Sequence, residues 1–234
     1  MTADTRKKIQ LVFAAAITIA ALRTGYILYQ RHEDAAAPVK KEAPPLKADY
    51  YVTPKKLHPQ DLKTAKQLTQ QPVWVREGYH FTYYPYDRHT DFKHEAGLLG
   101  PIEKLEIKDV VTDITPGAPD QKQVMAVFEK DSKEFAFPIG TVKGDDYRIY
   151  SDDMLFIQDP RELYKHWPAE VWDAISRHEV KPGMNELQTS FAIGVGTPIG
   201  TGGIGDRTLN YANSGKPLMV TFSNDKATDI RPGA

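Results

Sequence analysis

Two clusters in the sequence bring together side chains able to do chemistry. His80, Asp87, His89, Asp91 and His94 fall within fifteen residues, a composition able to bind a divalent metal through imidazole and carboxylate. The local pattern works against a site. Tyr86-Asp87-Arg88-His89-Thr90-Asp91 reads as a polar loop, and no helical repeat sets two imidazoles on one face. Asp145-Asp146 and Asp152-Asp153 place four carboxylates beside two turns, where paired acids can serve as acid and base or hold calcium. The calcium-loop spacing is absent, and Asp is a common turn residue in its own right. Seven His and many Asp and Ser can always be combined into triads, yet none stands in a nucleophile context. No catalytic residue, metal ligand or cofactor is assigned, and the chain is read as a non-enzyme.

The third candidate is the loop Gly194-Val195-Gly196-Thr197-Pro198-Ile199-Gly200-Thr201-Gly202-Gly203-Ile204-Gly205. A dinucleotide fingerprint follows a strand and opens a helix; this run closes a helix and precedes a strand. No Gly-Lys-Ser/Thr and no Gly-x-Ser-x-Gly occurs. So many glycines cost conformational entropy without serving a core, which favours a loop that orders against a partner. Gly194, Gly196, Thr201, Gly202, Gly203 and Arg207 are therefore the expected partner-binding residues. Tyr79, Tyr83, Tyr84 and Tyr86 form a weaker set of stacking candidates, because strand alternation sends some of them inward.

Composition bounds what these residues can serve. The 234 residues are 41% hydrophobic and 26% charged, with a formal net charge of -1. That is ordinary globular chemistry and lacks the basic excess of a nucleic-acid binder. There is no cysteine, so disulfides, thiolate metal sites and a lipidated cysteine are excluded.

The elements that must position the candidates follow in order. Arg6-Lys7-Lys8 precedes an apolar run that, counted from Ile9 to Tyr29, is about 31 Å of helix at 1.5 Å per residue, near a bilayer core of about 30 Å. Arg23 can snorkel outward, and Tyr26 and Tyr29 suit an interfacial belt. A cleaved signal or a buried helix is the alternative. The expectation is a single-pass signal-anchor in the inner membrane, contacting the lipid bilayer through residues 9–29 and leaving the remainder periplasmic. Residues 1–32 are the cytoplasmic start and transmembrane helix, and 33–53 a Pro/Ala/Lys-rich tether.

Residues 54–160 read as a β-rich module, barrel-like or a sandwich. Short apolar runs alternate with turns such as Lys130-Asp131-Ser132-Lys133 and Lys143-Gly144-Asp145-Asp146. Asp159-Pro160 reads as a helix N-cap and first position and marks the boundary. In residues 161–234, Trp172 and Ile175 stripe one helix and Met184, Leu187 and Phe191 a second. Two strands joined by Asn213-Ser214-Gly215 follow, then a short strand with Ala227 and Ile230. The fold class is α+β, ending in two helices on a two- to three-stranded antiparallel sheet.

This last module carries a resemblance. Gly183-Met184-Asn185, Gln188, Gly194 to Pro198, Leu209-Asn210-Tyr211 and Leu218-Met219-Val220-Thr221-Phe222 resemble the BamE/SmpA family of small envelope proteins over about residues 167–232. There a Gly-Met-Thr helix start, a Gln, a Leu-Gly-x-Pro helix end, a Trp-x-Tyr strand and an apolar strand recur in this order. Asn185 stands in place of Thr, Leu209 in place of Trp, and the glycine loop is longer. The resemblance implies an assembly scaffold at a bacterial envelope, with an envelope or membrane protein as partner. The alternative is an envelope sensor or enzyme using the polar loop 87–94 or the Asp152-Asp153 turn for a metal or small ligand.

Overall fold

The computed structural model describes residues 14, 17–29, 49, 52–115 and 117–233, the side chains of Thr115 and Pro119 excepted. The chain divides into two units, Met1–Leu46 and Lys47–Ala234.

In the first unit the described residues are helical at Ala14 and over 17–29. The Thr18 and Thr24 hydroxyls donate to the carbonyls of Ala14 and Ala20, each at 2.9 Å. This corrects the anchor expected over residues 9–29. The described residues 17–29 carry Arg23 among the apolar side chains. Among the described residues no helix is long and apolar enough to cross a membrane. The single-pass, inner-membrane, periplasm-facing placement loses its support with it. The tether expected over 33–53 lies outside the described residues except for Asp49, Val52 and Thr53.

The second unit opens with helix α1 (Leu62–Ala65), whose start is fixed by reciprocal bonds: the Asp61 carboxylate accepts from the Thr64 amide, and the Thr64 hydroxyl from the Asp61 amide. A 3₁₀ turn, Lys66–Gln70, extends it. The strands that follow are β1 (Val73–Val75), β2 (Thr82–Asp87), β3 (His89–Thr90), β4 (Gly97–Leu98), β5 (Lys104–Leu105), β6 (Ile107–Thr115), β7 (Ala118–Lys130), β8 (Lys133–Lys143) and β9 (Asp146–Ile149). Helix α2 (Ser151–Met154) leads into β10 (Leu155–Phe156). Then come helices α3 (Pro160–Leu163), α4 (Ala169–Ser176) and α5 (Glu186–Ile193), and strands β11 (Gly196–Ile199), β12 (Thr208–Tyr211), β13 (Leu218–Ser223) and β14 (Lys226–Pro232).

Every strand pairing is antiparallel. The largest sheet runs β3-β2-β8-β7-β6, with β4 on β2 and β9 on β8. Its central hairpin turns tightly through Asp131 (φ 52°) and Ser132 (φ 61°), the two left-handed positions that suit the twist of β7 and β8. A three-stranded sheet, β10-β1-β5, faces it across the first core, where Val73, Val75 and Leu155 meet Val124, Ala126, Phe128 and Phe137. Among the described residues strand β6 pairs only with β7, so the large sheet stays open there and no barrel closes.

The three-stranded sheet has two buried faces because side chains alternate along a strand. Val73 and Val75 enter the first core while Trp74 between them packs on the second; Leu155 and Phe156 divide in the same way. One thin sheet is thus the common wall of two hydrophobic cores. The second core gathers Phe156, Tyr164, Trp167, Trp172 and Phe191 with Leu209, Tyr211, Val220 and Phe222. Burying each such side chain contributes about 1.5–3 kcal/mol. Its sheet has the order β11-β12-β13-β14. This corrects the two- to three-stranded expectation: part of the glycine loop is itself a strand, and the last strand runs to Pro232.

Candidate functional site

Helix α5 begins where Asn185 and Gln188 cap one another: the Gln188 amide donates to Asn185 Oδ1 at 2.8 Å and the Asn185 amide to Gln188 Oε1 at 3.0 Å. The remaining Asn185 donor, Nδ2, reaches Asp49 Oδ2 at 2.6 Å. Asp49 also accepts from Trp167 Nε1 at 2.7 Å, with His166 Nε2 at 2.5 Å from the same oxygen. The first residue inside the helix is Glu186. Its Oε1 accepts from the Gly205 amide at 2.6 Å, and its two oxygens grip Arg207 through Nε and Nη2, the latter at 2.7 Å. That fork holds the far end of the glycine loop against the helix start, a favourable place for a carboxylate.

Gly194 ends the helix at φ 88°, and a Cβ there would lie 2.5 Å from the Gly78 carbonyl oxygen. The chain then enters β11, where Gly196 pairs with Tyr211. A Cβ on Gly196 would come within 2.7 Å of Tyr211 Cζ. Glycine is therefore required at both positions, for close approach rather than for mobility.

Between α5, β11, β12 and the segment after β1 lies a cleft of about 410 Å³, within the size range of ligand sites. Phe156, Tyr164, Phe191 and Leu209 supply its apolar surface. Rings of Phe156, Tyr164 and Trp167 stand edge-on to Phe191 at centroid distances of 5.3 to 5.8 Å, which makes that surface rigid. Val195 and Ile204 stand at the rim, 43% and 67% exposed. The Arg76 guanidinium lies over the Phe156 ring, 5.5 Å from its centroid.

Tyr211 is 0% exposed, and its hydroxyl has no hydrogen-bond partner among the described residues. Burial pushes the phenol pKa well above its ordinary value, Glu186 adds to this and Arg207 opposes it, so the oxygen keeps its proton and remains a donor. An unsatisfied buried hydroxyl costs about 1–3 kcal/mol. The lining of the cleft includes the carboxylates of Asp49, Glu77, Glu186 and Asp225 and the guanidinium groups of Arg76 and Arg207, with Asp49 held by His166 and Glu186 by Arg207.

A second cleft, of about 520 Å³, contains Lys130, Glu103, Arg161 and Ser176. There the polar groups answer one another: Lys130 meets Glu103 at 2.7 Å, and Arg161 donates to the Ser176 hydroxyl at 2.9 Å.

The structure places the sequence candidates unequally. Gly196 and Arg207 line the apolar cleft. Gly194 closes α5, and a Cβ on Gly202 would meet the Asp206 carbonyl oxygen at 2.5 Å, so these two serve the loop's path. Thr201 and Gly203 are exposed on the loop outside the cleft. Tyr83 packs edge-on against Phe128 and Phe135, and Tyr84 meets Phe92, so neither is a free stacking surface. Tyr79 lines the second cleft and Tyr86 is half-buried in the outer face of the large sheet.

The polar clusters do not assemble a centre. Among the described residues no three or more His, Asp or Glu groups converge as a metal site would require. His94 pairs with Asp91 at 2.7 Å and His89 lies 3.7 Å from Asp113. Asp152 accepts from the amides of Leu57 and His58, and Asp153 pairs with Lys56.

Sequence reasoning missed Asp49, Arg76, Glu186 and Tyr211. For Glu186 a signal existed in its place one residue after a capping Asn. Tyr211 lay within the quoted Leu209-Asn210-Tyr211 run, but only its register against Gly196 reveals its setting. Comparison with known protein families, curated proteins and solved structures returns no match for this chain.

Proposed function

We propose that this chain is a non-catalytic binding module that docks a segment of another polypeptide in the cleft beside α5. The observation that carries the reading is the exposure of Val195 and Ile204 at the mouth of a rigid aromatic surface. The Glu186–Arg207 fork holds the loop bearing Ile204 in place, so little ordering entropy is lost on docking. The resemblance of residues 167–232 to a family of assembly scaffolds supports the same reading.

A photoreactive phenylalanine placed at Ile204, with Ile114 as the control, tests it in the cells that make the protein. Ile114 is 63% exposed and lies on β6, outside the cleft. The expected result is one polypeptide adduct from position 204, mapping to a single segment, and none from position 114. Equal or diffuse adducts at both positions contradict the proposal.

A further inference from the structure

The second cleft, of about 520 Å³, is lined by two opposite charges that are close in the chain and do not meet. Arg161 donates from Nη2 to the Ser176 hydroxyl at 2.9 Å, and its guanidinium lies over the Trp172 ring, 5.3 Å from the centroid. Ser176 is fixed in turn, since its hydroxyl donates to the Trp172 carbonyl at 2.8 Å. Asp159, two residues before Arg161, accepts through Oδ1 from the Arg161 backbone amide at 2.8 Å. Among the described residues no carboxylate comes within 4.0 Å of the Arg161 guanidinium, and the second Asp159 oxygen has no hydrogen-bond partner. Arg177, Arg207 and Arg231, by contrast, each meet an acid.

The other charged groups of this lining already have partners. Lys130 Nζ meets Glu103 Oε1 at 2.7 Å, and Glu103 Oε2 accepts from the Gly100 amide at 2.6 Å. His178 donates from Nδ1 to the Ala192 carbonyl at 3.0 Å. What stays open is one positioned cation and one carboxylate, beside an apolar surface of Trp74, Leu98 and Ile102. Leu98 is 45% exposed there. The walls are also strained. Tyr79 (φ 58°), Ile102 (φ 54°) and His178 (φ 54°) are all left-handed, and for a β-branched residue that is a genuine outlier. Ile102 sits in the turn 100–103, closed by the Glu103 amide donating to the Gly100 carbonyl at 3.3 Å, where a left-handed residue is normally glycine. Strain of this kind gathers at ligand clamps.

We infer that this cleft is a site for a small zwitterion, an α-amino acid with an apolar side chain. The ligand's carboxylate pairs with the Arg161 guanidinium, whose planar fork suits it. Its ammonium pairs with the free oxygen of Asp159, and its side chain lies on Trp74, Leu98 and Ile102. Because the two protein charges stand two residues apart, the ligand's charges must also be close together, as they are on one α-carbon. Trp172 and Ser176 hold the guanidinium away from Asp159 beforehand, so little ordering entropy is lost on binding. The site is separate from the cleft beside α5 and stands or falls apart from polypeptide docking there.

The test is calorimetry on the full chain with L-leucine and L-phenylalanine. N-acetyl-leucine, leucinamide and glycine are the controls, lacking in turn the ammonium, the carboxylate and the apolar body. Leucine and phenylalanine are expected to bind, and each control to bind about tenfold more weakly, as loss of one charged contact would give. Arg161→Gln keeps a donor for Ser176, and Asp159→Asn keeps an acceptor for the Arg161 amide. Both variants should therefore melt close to the parent, and each should weaken leucine about tenfold. Arg161→Gln should leave leucinamide binding unchanged, and Asp159→Asn should leave N-acetyl-leucine binding unchanged.

N-acetyl-leucine binding as tightly as leucine overturns the pairing with Asp159, and leucinamide binding as tightly overturns the pairing with Arg161. Undiminished leucine binding in both variants puts the ligand elsewhere and removes the site. No binding of either amino acid by the parent chain overturns the proposal, whatever crosslinking from position 204 shows.

Discussion

Substituting Gly196 by alanine probes the geometry of the cleft wall directly. The new Cβ would stand 2.7 Å from Tyr211 Cζ, 2.8 Å from Cε1 and 3.0 Å from Leu209 Cβ. Ordinary contact begins near 3.4 Å, so the ring must move by roughly 0.7 Å inside a site where Tyr211 is fully buried. Overpacking of this kind costs about 1–3 kcal/mol. Replacing glycine returns about 0.4–1 kcal/mol through the unfolded chain, because Gly196 does not need the left-handed region. The net expectation is a loss of about 0–2.6 kcal/mol. Urea unfolding followed by tryptophan fluorescence suits the measurement, since Trp167 and Trp172 lie within the second core and Trp74 packs against it. In a Tyr211→Leu background the obstructing ring is gone, and the same alanine should cost less, with the Leu209 Cβ contact at 3.0 Å remaining. The double-mutant cycle should therefore show a coupling of about 1 kcal/mol or more. An equal cost in both backgrounds would refute the contact.

Other perturbations follow from the same geometry. Arg207→Met leaves the mostly buried Glu186 with only the Gly205 amide; the expected loss is about 1.5–3 kcal/mol, a charged hydrogen bond's worth, with faster hydrogen exchange at residues 200–206. Asp49→Ala strands the Trp167 indole N–H and the Asn185 amide and should lower stability by about 1–3 kcal/mol, read as a lower Tm. Burial raises the pKa of Asp113, but the amides of Thr90 and Ile114, with His89 nearby, outweigh it and hold the carboxyl below its ordinary range. Its contribution is fully present above the unfolded value of about 3.9 and fades as pH falls through the lower folded value. Asp113→Asn should therefore flatten the acid limb of a stability–pH curve and leave its slope near neutrality unchanged.

Local chemistry explains which parts of the fold are legible in the sequence. Asp159-Pro160 reads as a helix start, and the Asp159 side chain does accept from the Arg161 amide at 2.8 Å. Lys130 to Lys133 reads as a hairpin turn and joins β7 to β8. These features depend on residues adjacent in the chain. The division of Val73, Trp74 and Val75 between two cores depends on which sheets lie on either side, and three residues carry too little pattern to announce it. Strand β11 runs against its own propensities, since Gly196 and Pro198 are poor strand formers; it exists because β12 offers a partner in register. Asp49 is more than a hundred residues from His166, Trp167 and Asn185, so no local signal joins them. Over residues 9–29, apolar composition suggests a membrane span, but among the described residues no helix is long and apolar enough to cross a membrane, and Arg23 interrupts the run.

The proposed function requires that a polypeptide segment occupy the cleft beside α5. Hydrogen–deuterium exchange of the full chain, with and without a synthetic peptide of the segment crosslinked from position 204, tests this most directly. The predicted result is protection confined to residues 76–79, 195–196 and 204–211. Protection on the outer face of the large sheet around Tyr84 and Met125, with none at the cleft, would contradict it.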